Sequence, residues 1–141
     1  MLNVNKWDYL DPIIQLILWT CIVATPIHEY GHLLAVRVAG GEGAVYSYDL
    51  DVMKWVTLPG TQHLWFVYLG GGLFAGLVFL FAYLRCCDWE LRFCFMFNAG
   101  MQLGYGVCES LFHATEPVFS ALIGLVVGFF LVYLYVCREV L

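Results

Sequence analysis

His28-Glu29-Tyr30-Gly31-His32 has the form HExxH. On a helix, residues four apart share a face, so His28 and His32 present two imidazoles to one point. Neutral imidazole nitrogens suit zinc, which in catalytic sites takes three protein ligands and a water. The pKa of that water falls toward about 7 on the metal, and Glu29, beside the pair, is placed to take its proton. The chemistry read from these residues is metal-assisted hydrolysis, with His28 and His32 as ligands and Glu29 as general base. The bland alternative is a helix end whose histidines lie at an interface.

The elements that must position these residues follow from composition. The 141 residues are 62% hydrophobic and only 12% charged, with a mean hydropathy of +0.82. Soluble domains carry about a quarter charged residues, so this composition excludes an ordinary soluble globule and a disordered chain. Six Lys and Arg against eleven Asp and Glu leave no basic patch, which argues against nucleic acid as a partner. Charge-free runs cover 12–27, 93–108 and 117–137, and 55–84 is interrupted only by His63. A bilayer core needs about 20 apolar helical residues. The first and third runs reach that length only by continuing through their ionisable residues. The expected fold is therefore an all-α polytopic membrane protein, one domain over residues 1–141, with four spans near 11–38, 62–84, 90–113 and 117–138.

The mixed charges Lys6, Asp8 and Asp11, with no small-residue cleavage site after them, read as a retained first span rather than a cleavable signal. Between the first two spans, residues 44–52 alternate with aromatic and β-branched positions, the pattern of a short β-hairpin, expected at the membrane surface. The six cysteines contain no CxxC and read as small apolar residues. Lys6, Arg85, Arg92 and Arg138 fall on one side of a four-span topology and Arg37 and Lys54 on the other, which favours cytosolic termini.

A charge in mid-span costs a few kcal/mol and is normally functional, which gives weight to His28, Glu29 and His32. Candidates for a third ligand are Glu109, His113, His63, Asp88 and Glu116. The first and third helices run the same way. His28 and His32 lie 17 and 21 residues beyond Asp11, and Glu109 lies 19 beyond Glu90. At about 1.5 Å per residue, Glu109 falls between the two histidines. Asp88 is on the wrong side, and His63 and Glu116 lie at the surface. Asn98, Gln102, Tyr105, Glu109 and His113 form one polar stripe at helical spacing. Asn98 and Gln102 suit either interhelical hydrogen bonds or substrate contact, with Tyr105 between them and the acid. His113 is a candidate to hold a metal ligand in place, to serve as an alternative ligand or to act as an oxyanion donor. Gly70-Gly71-Gly72, Gly76, Gly100, Gly104, Gly124 and Gly128 make small-residue faces for close helix packing, and the 70–72 run could also bare helix backbone to a substrate. Pro26 is expected to disturb the first helix one turn before the motif.

With these residues in view, the chain resembles the site-2 protease family of membrane-embedded zinc metalloproteases. The resemblance rests on the HExxH segment followed by Leu33-Leu34-Ala35 in a span, a hairpin region, and the glycine-rich helix Leu69-Gly70-Gly71-Gly72-Leu73-Phe74-Ala75-Gly76, and it covers residues 12–113. That family takes its third ligand from an Asp in an Asn…Pro…Leu-Asp-Gly segment. Here Asn98 begins a comparable stretch, but residues 98–113 contain neither Pro nor Asp. By resemblance Glu109 would replace the aspartate, as in zincins that complete HExxH with a downstream helical Glu. The resemblance implies one zinc per chain and cleavage of a membrane-protein or peptide substrate in or near its transmembrane segment. Two alternatives stay open: a non-proteolytic protein with a closed four-ligand zinc site, His113 included, and a zinc hydrolase acting on another substrate class, such as lipids.

Overall fold

The computed structural model describes residues 10–41, 43–48, 53–57, 64–112 and 117–140. Among the described residues the fold is a helical bundle of four rods. The first rod runs continuously through α1 (Leu10–Ile17), a π-helical stretch (Leu18–Val23) and α2 (Ala24–Val38). The others are α3 (Leu64–Arg85), α4 (Trp89–Phe112) and α5 (Pro117–Val140). Pro12–Val38, Trp65–Arg85 and Val118–Arg138 are each long and apolar enough to cross a membrane, which marks a membrane protein. α4 equals α5 in length but carries Glu90, Arg92, Asn98, Gln102 and Glu109, and is not among those three. Between α2 and α3, strands β1 (Gly43–Tyr48) and β2 (Met53–Thr57) pair antiparallel, with a register irregularity between Val45 and Ser47. Residues 49–52 between them, and His63, His113 and Glu116, lie outside the described residues.

Local signals explain where the rods begin and end. Gly40 takes φ +80° after α2, Gly40 N donates to Arg37 O and Gly41 N to Val36 O. This is the paired bonding of a Schellman cap, which a left-handed glycine permits. At the other end of the bundle Asp88 Oδ1 accepts from the amides of Glu90 (2.9 Å) and Leu91 (3.0 Å), capping α4. Near Pro26 the structure shows a π-helical stretch immediately upstream, with Ala24 N bonded to Trp19 O. Pro26 has no N–H to offer the preceding turn, and longer-range bonding of this kind is one way a helix accommodates that loss.

The rods pack in the order α2, α3, α4, α5, each antiparallel to the next, and glycine lets the backbones approach. A Cβ at Gly31 would lie 2.7 Å from Phe74 Cβ, one at Gly106 2.7 Å from Gly72 Cα, and one at Gly100 2.9 Å from Gly128 Cα. Lipid chains are as apolar as leucine, so close van der Waals fit must hold such helices together. Gly70, Gly71 and Gly72 all face protein: Gly70 meets Ala35 of α2, Gly71 meets the two histidines, and Gly72 meets Gly106 of α4. The run is thus engaged by α2, by the two histidines and by α4. Toward the Asp88 end, Trp19 stacks edge-on to Phe95 at 4.8 Å and Phe79 at 6.3 Å, tying the first rod to α3 and α4. There too Arg92 donates to Tyr83 Oη (3.1 Å) and lies over the rings of Tyr83 and Tyr135, joining α3, α4 and α5. All six cysteines are free thiols.

These contacts predict an ordered series of stabilities. Gly72→Val forces a branched side chain into α4 and should cost about 3 kcal/mol or more, whereas Gly40→Ala strains only a cap in open space and should cost about 1 kcal/mol. Thermal unfolding in detergent, followed by circular dichroism, checks the ranking.

Candidate metal centre

α2 and α4 share few backbone contacts; each packs on α3, and the gap between them is bridged by polar side chains. His28, Glu29 and His32 point into this gap from α2 and are buried, His32 completely. Glu109 enters from α4 and is also buried. His28 Nε2 and His32 Nε2 are 3.0 Å apart, and Glu109 Oε2 lies 3.3 Å from the first and 3.6 Å from the second. The parallel course of α2 and α4 puts them at one level, as depth along the sequence implied.

The shape of this triangle matches a coordination sphere. Two donors on a tetrahedral ion with bonds of about 2.0–2.1 Å stand about 3.3 Å apart. The circle through the three observed atoms has a radius of about 1.9 Å, a spacing that suits three donors to one small divalent ion. This buried His-His-Glu group could hold a metal ion.

Each imidazole is also gripped at its far nitrogen. His32 Nδ1 donates to the backbone carbonyl of Val67 at 2.7 Å, and His28 Nδ1 donates to Gln102 Oε1 at 2.7 Å. A proton at Nδ1 leaves the Nε2 lone pair free for a metal, the usual outer-shell arrangement around metal-bound histidine. Gly71 forms the α3 wall: a Cβ there would clash with His32 Nε2 and stand 2.6 Å from His28 Nε2. Any side chain at position 71 would occupy the space in which the donors converge.

Glu29 belongs to the same gap but not to the triangle. Its Oε2 is buried and has no hydrogen-bond partner among the described residues. A buried carboxylate oxygen without a donor is costly, and its position next to the donors suits a group that engages water held there. Tyr105 sets its ring edge-on to His28 at 5.2 Å. Asn98 lies on the same stripe but takes no part: its Nδ2 donates to Cys94 O of its own helix, and its Oδ1 is buried without a partner among the described residues. Asp88 is a helix cap. Near Glu109, Ser110 Oγ donates to Trp65 O (3.0 Å), binding α4 to the start of α3. Sequence reasoning missed Val67, which acts through its backbone and leaves no side-chain signal, and the specific role of Gly71, which its glycine run concealed among packing positions.

No family model, curated protein or solved structure shows significant similarity to this chain.

The geometry makes a sharp prediction about metal content. The purified wild type should carry about one metal ion per chain, and His28→Ala, Glu109→Ala and Gly71→Ala should lose it while Asp88→Ala retains it. Elemental analysis of the detergent-purified variants reads this directly; retention of metal by Glu109→Ala would remove Glu109 from the ligand set.

Proposed function

We propose that the chain is a zinc-dependent intramembrane endopeptidase that hydrolyses a peptide bond in or near a transmembrane segment of a substrate protein. The observation that carries this reading is the pairing of a three-donor triangle with Glu29, a buried carboxylate whose Oε2 no described side chain engages. Among the described residues three protein ligands converge, and a fourth position taken by water would be the mark of a catalytic rather than a structural zinc site. Two imidazoles and one carboxylate are a donor set that zinc favours. The resemblance of the HExxH helix and the glycine-rich helix to site-2 proteases supports a peptide as the substrate.

A bound zinc would supply Lewis-acid activation of water at near-neutral pH. The chain's own residues supply the rest. Glu29 accepts the proton of the attacking water at Oε2, which no described residue engages, and returns it to the nitrogen of the leaving amine. His28 and His32 keep their Nε2 atoms turned to the centre because Gln102 and Val67 hold the opposite nitrogens. Tyr105 closes the His28 side of the gap.

In this reading α4 is the fourth span. Its polar stripe is tolerated because it faces the bundle interior rather than lipid. With four spans, Arg85, Arg92 and Arg138 share one side with the N-terminus, which the positive-inside rule places in the cytosol. The β1–β2 pair, which packs against α2 beyond the histidines, would lie at the membrane surface and could receive an unwound substrate as an added strand. Substrate must unwind because the amides of an intact helix are already hydrogen-bonded.

Glu29→Gln preserves shape and removes the base. It should retain zinc and lower cleavage of a reconstituted transmembrane peptide by about 10²-fold or more. Undiminished cleavage would sink the mechanism. Zinc-dependent loss of a lipid ester with peptides untouched would move the chain to the lipid-hydrolase alternative.

A further inference from the structure

The two histidines are held by partners of different kinds. The Val67 carbonyl can only accept, so His32 keeps its proton on Nδ1 and its lone pair on Nε2. Gln102 is different, because a side-chain amide has an accepting end and a donating end. With Oε1 toward His28 Nδ1, as in the structure, the His28 proton sits on Nδ1 and its Nε2 lone pair faces that of His32 at 3.0 Å. Those two lone pairs and the Glu109 carboxylate repel one another and call for a cation. If the amide turns over, its NH₂ donates to His28 Nδ1 and the His28 proton must sit on Nε2. From there it can donate to His32 Nε2 at 3.0 Å or to Glu109 Oε2 at 3.3 Å, which turns one opposed contact of the triangle into a hydrogen bond.

We propose that Gln102 is a positioning residue that selects the tautomer of His28, one end of its amide serving the metal-loaded site and the other the metal-free site. This rests on the metal-site reading and adds a means of loading and unloading. The imidazole exchanges a proton on Nε2 for one on Nδ1, so its net proton count does not change. His32, on a fixed backbone acceptor, is the constant ligand, and His28 is the adjustable one. The triangle therefore need not hold two opposed imidazole lone pairs before metal arrives. A glutamine suits this role better than a carboxylate, which can only accept and would hold the site in its metal-receiving form.

The test uses the full-length protein in detergent and compares wild type, Gln102→Glu and Gln102→Leu. Zinc affinity is read by competition with a chromophoric chelator, and the His28 tautomer by ¹⁵N NMR with and without zinc. Gln102→Leu should bind zinc about 10–100-fold more weakly, and Gln102→Glu should match or exceed wild type. His28 in the wild type should pass from an Nε2–H to an Nδ1–H tautomer on adding zinc, and in Gln102→Glu it should be Nδ1–H throughout. An affinity of Gln102→Leu within about threefold of wild type, or an equal fall in both variants, would overturn the role, since a packing effect would not be rescued by a carboxylate. An unchanged His28 tautomer in the wild type would overturn the switch. A wild type that binds no zinc would instead reject the metal-site reading itself.

Discussion

His28 Nε2, His32 Nε2 and Glu109 Oε2 stand within 3.6 Å of one another in the interior of an apolar bundle. Bringing a carboxylate and two opposed imidazole nitrogens together out of water is unfavourable unless a cation or a hydrogen bond joins them. Much of the surrounding structure can be understood as making that convergence possible. The donors come from α2 and α4, which scarcely touch through their backbones, so both helices must be held at the right distance by a third. α3 does this, and the residues that set the spacing are glycines.

The glycine-rich turn of α3 serves three neighbours within three residues. Gly70 admits α2, Gly72 admits α4, and Gly71 between them leaves room for the two Nε2 atoms. A helix carrying side chains at these positions would push α2 and α4 apart and fill the space between the donors. The same economy continues outward, where Gly100 and Gly104 seat α4 against α5. At the opposite end of the rods a different device prevails. Trp19, Phe79 and Phe95 interlock, and Arg92 lies over Tyr83 and Tyr135. One end of the bundle is thus spaced by absent side chains and the other by large ones, which suits a site that needs room at only one level.

The polar residues near the site divide by what they touch. His28 and His32 are anchored at their outer nitrogens, Glu109 completes the triangle, and Gln102 and the Val67 carbonyl do the anchoring. Glu29 alone among the ionisable residues of the motif has an oxygen beside the donors that no described residue engages. A structural metal site would recruit its acids as ligands. An acid kept beside the ligands, and not among them, is the arrangement that proton transfer requires, and this distinction underlies the hydrolytic reading.

Much of this could be read from the chain. The spacing of His28, Glu29 and His32 is a local property of one helix, and local geometry follows from sequence alone. Charge-free runs located the four rods because a long apolar helix is a one-dimensional signal. Depth along two parallel helices pointed to Glu109, since rise per residue is nearly constant. Other features required the folded molecule. Asn98 and Gln102 lie on one stripe, yet Gln102 reaches His28 while Asn98 bonds to its own helix, a difference set by the facing helix and not by periodicity. Val67 contributes a carbonyl, which every residue has, so no residue type could announce it. Gly71 resembled its neighbours until the packing showed which of the three faces the donors. The sequence by itself determined which residues could bind a metal and at what depth; only the tertiary structure decided how they are oriented, because orientation depends on contacts between segments far apart in the chain.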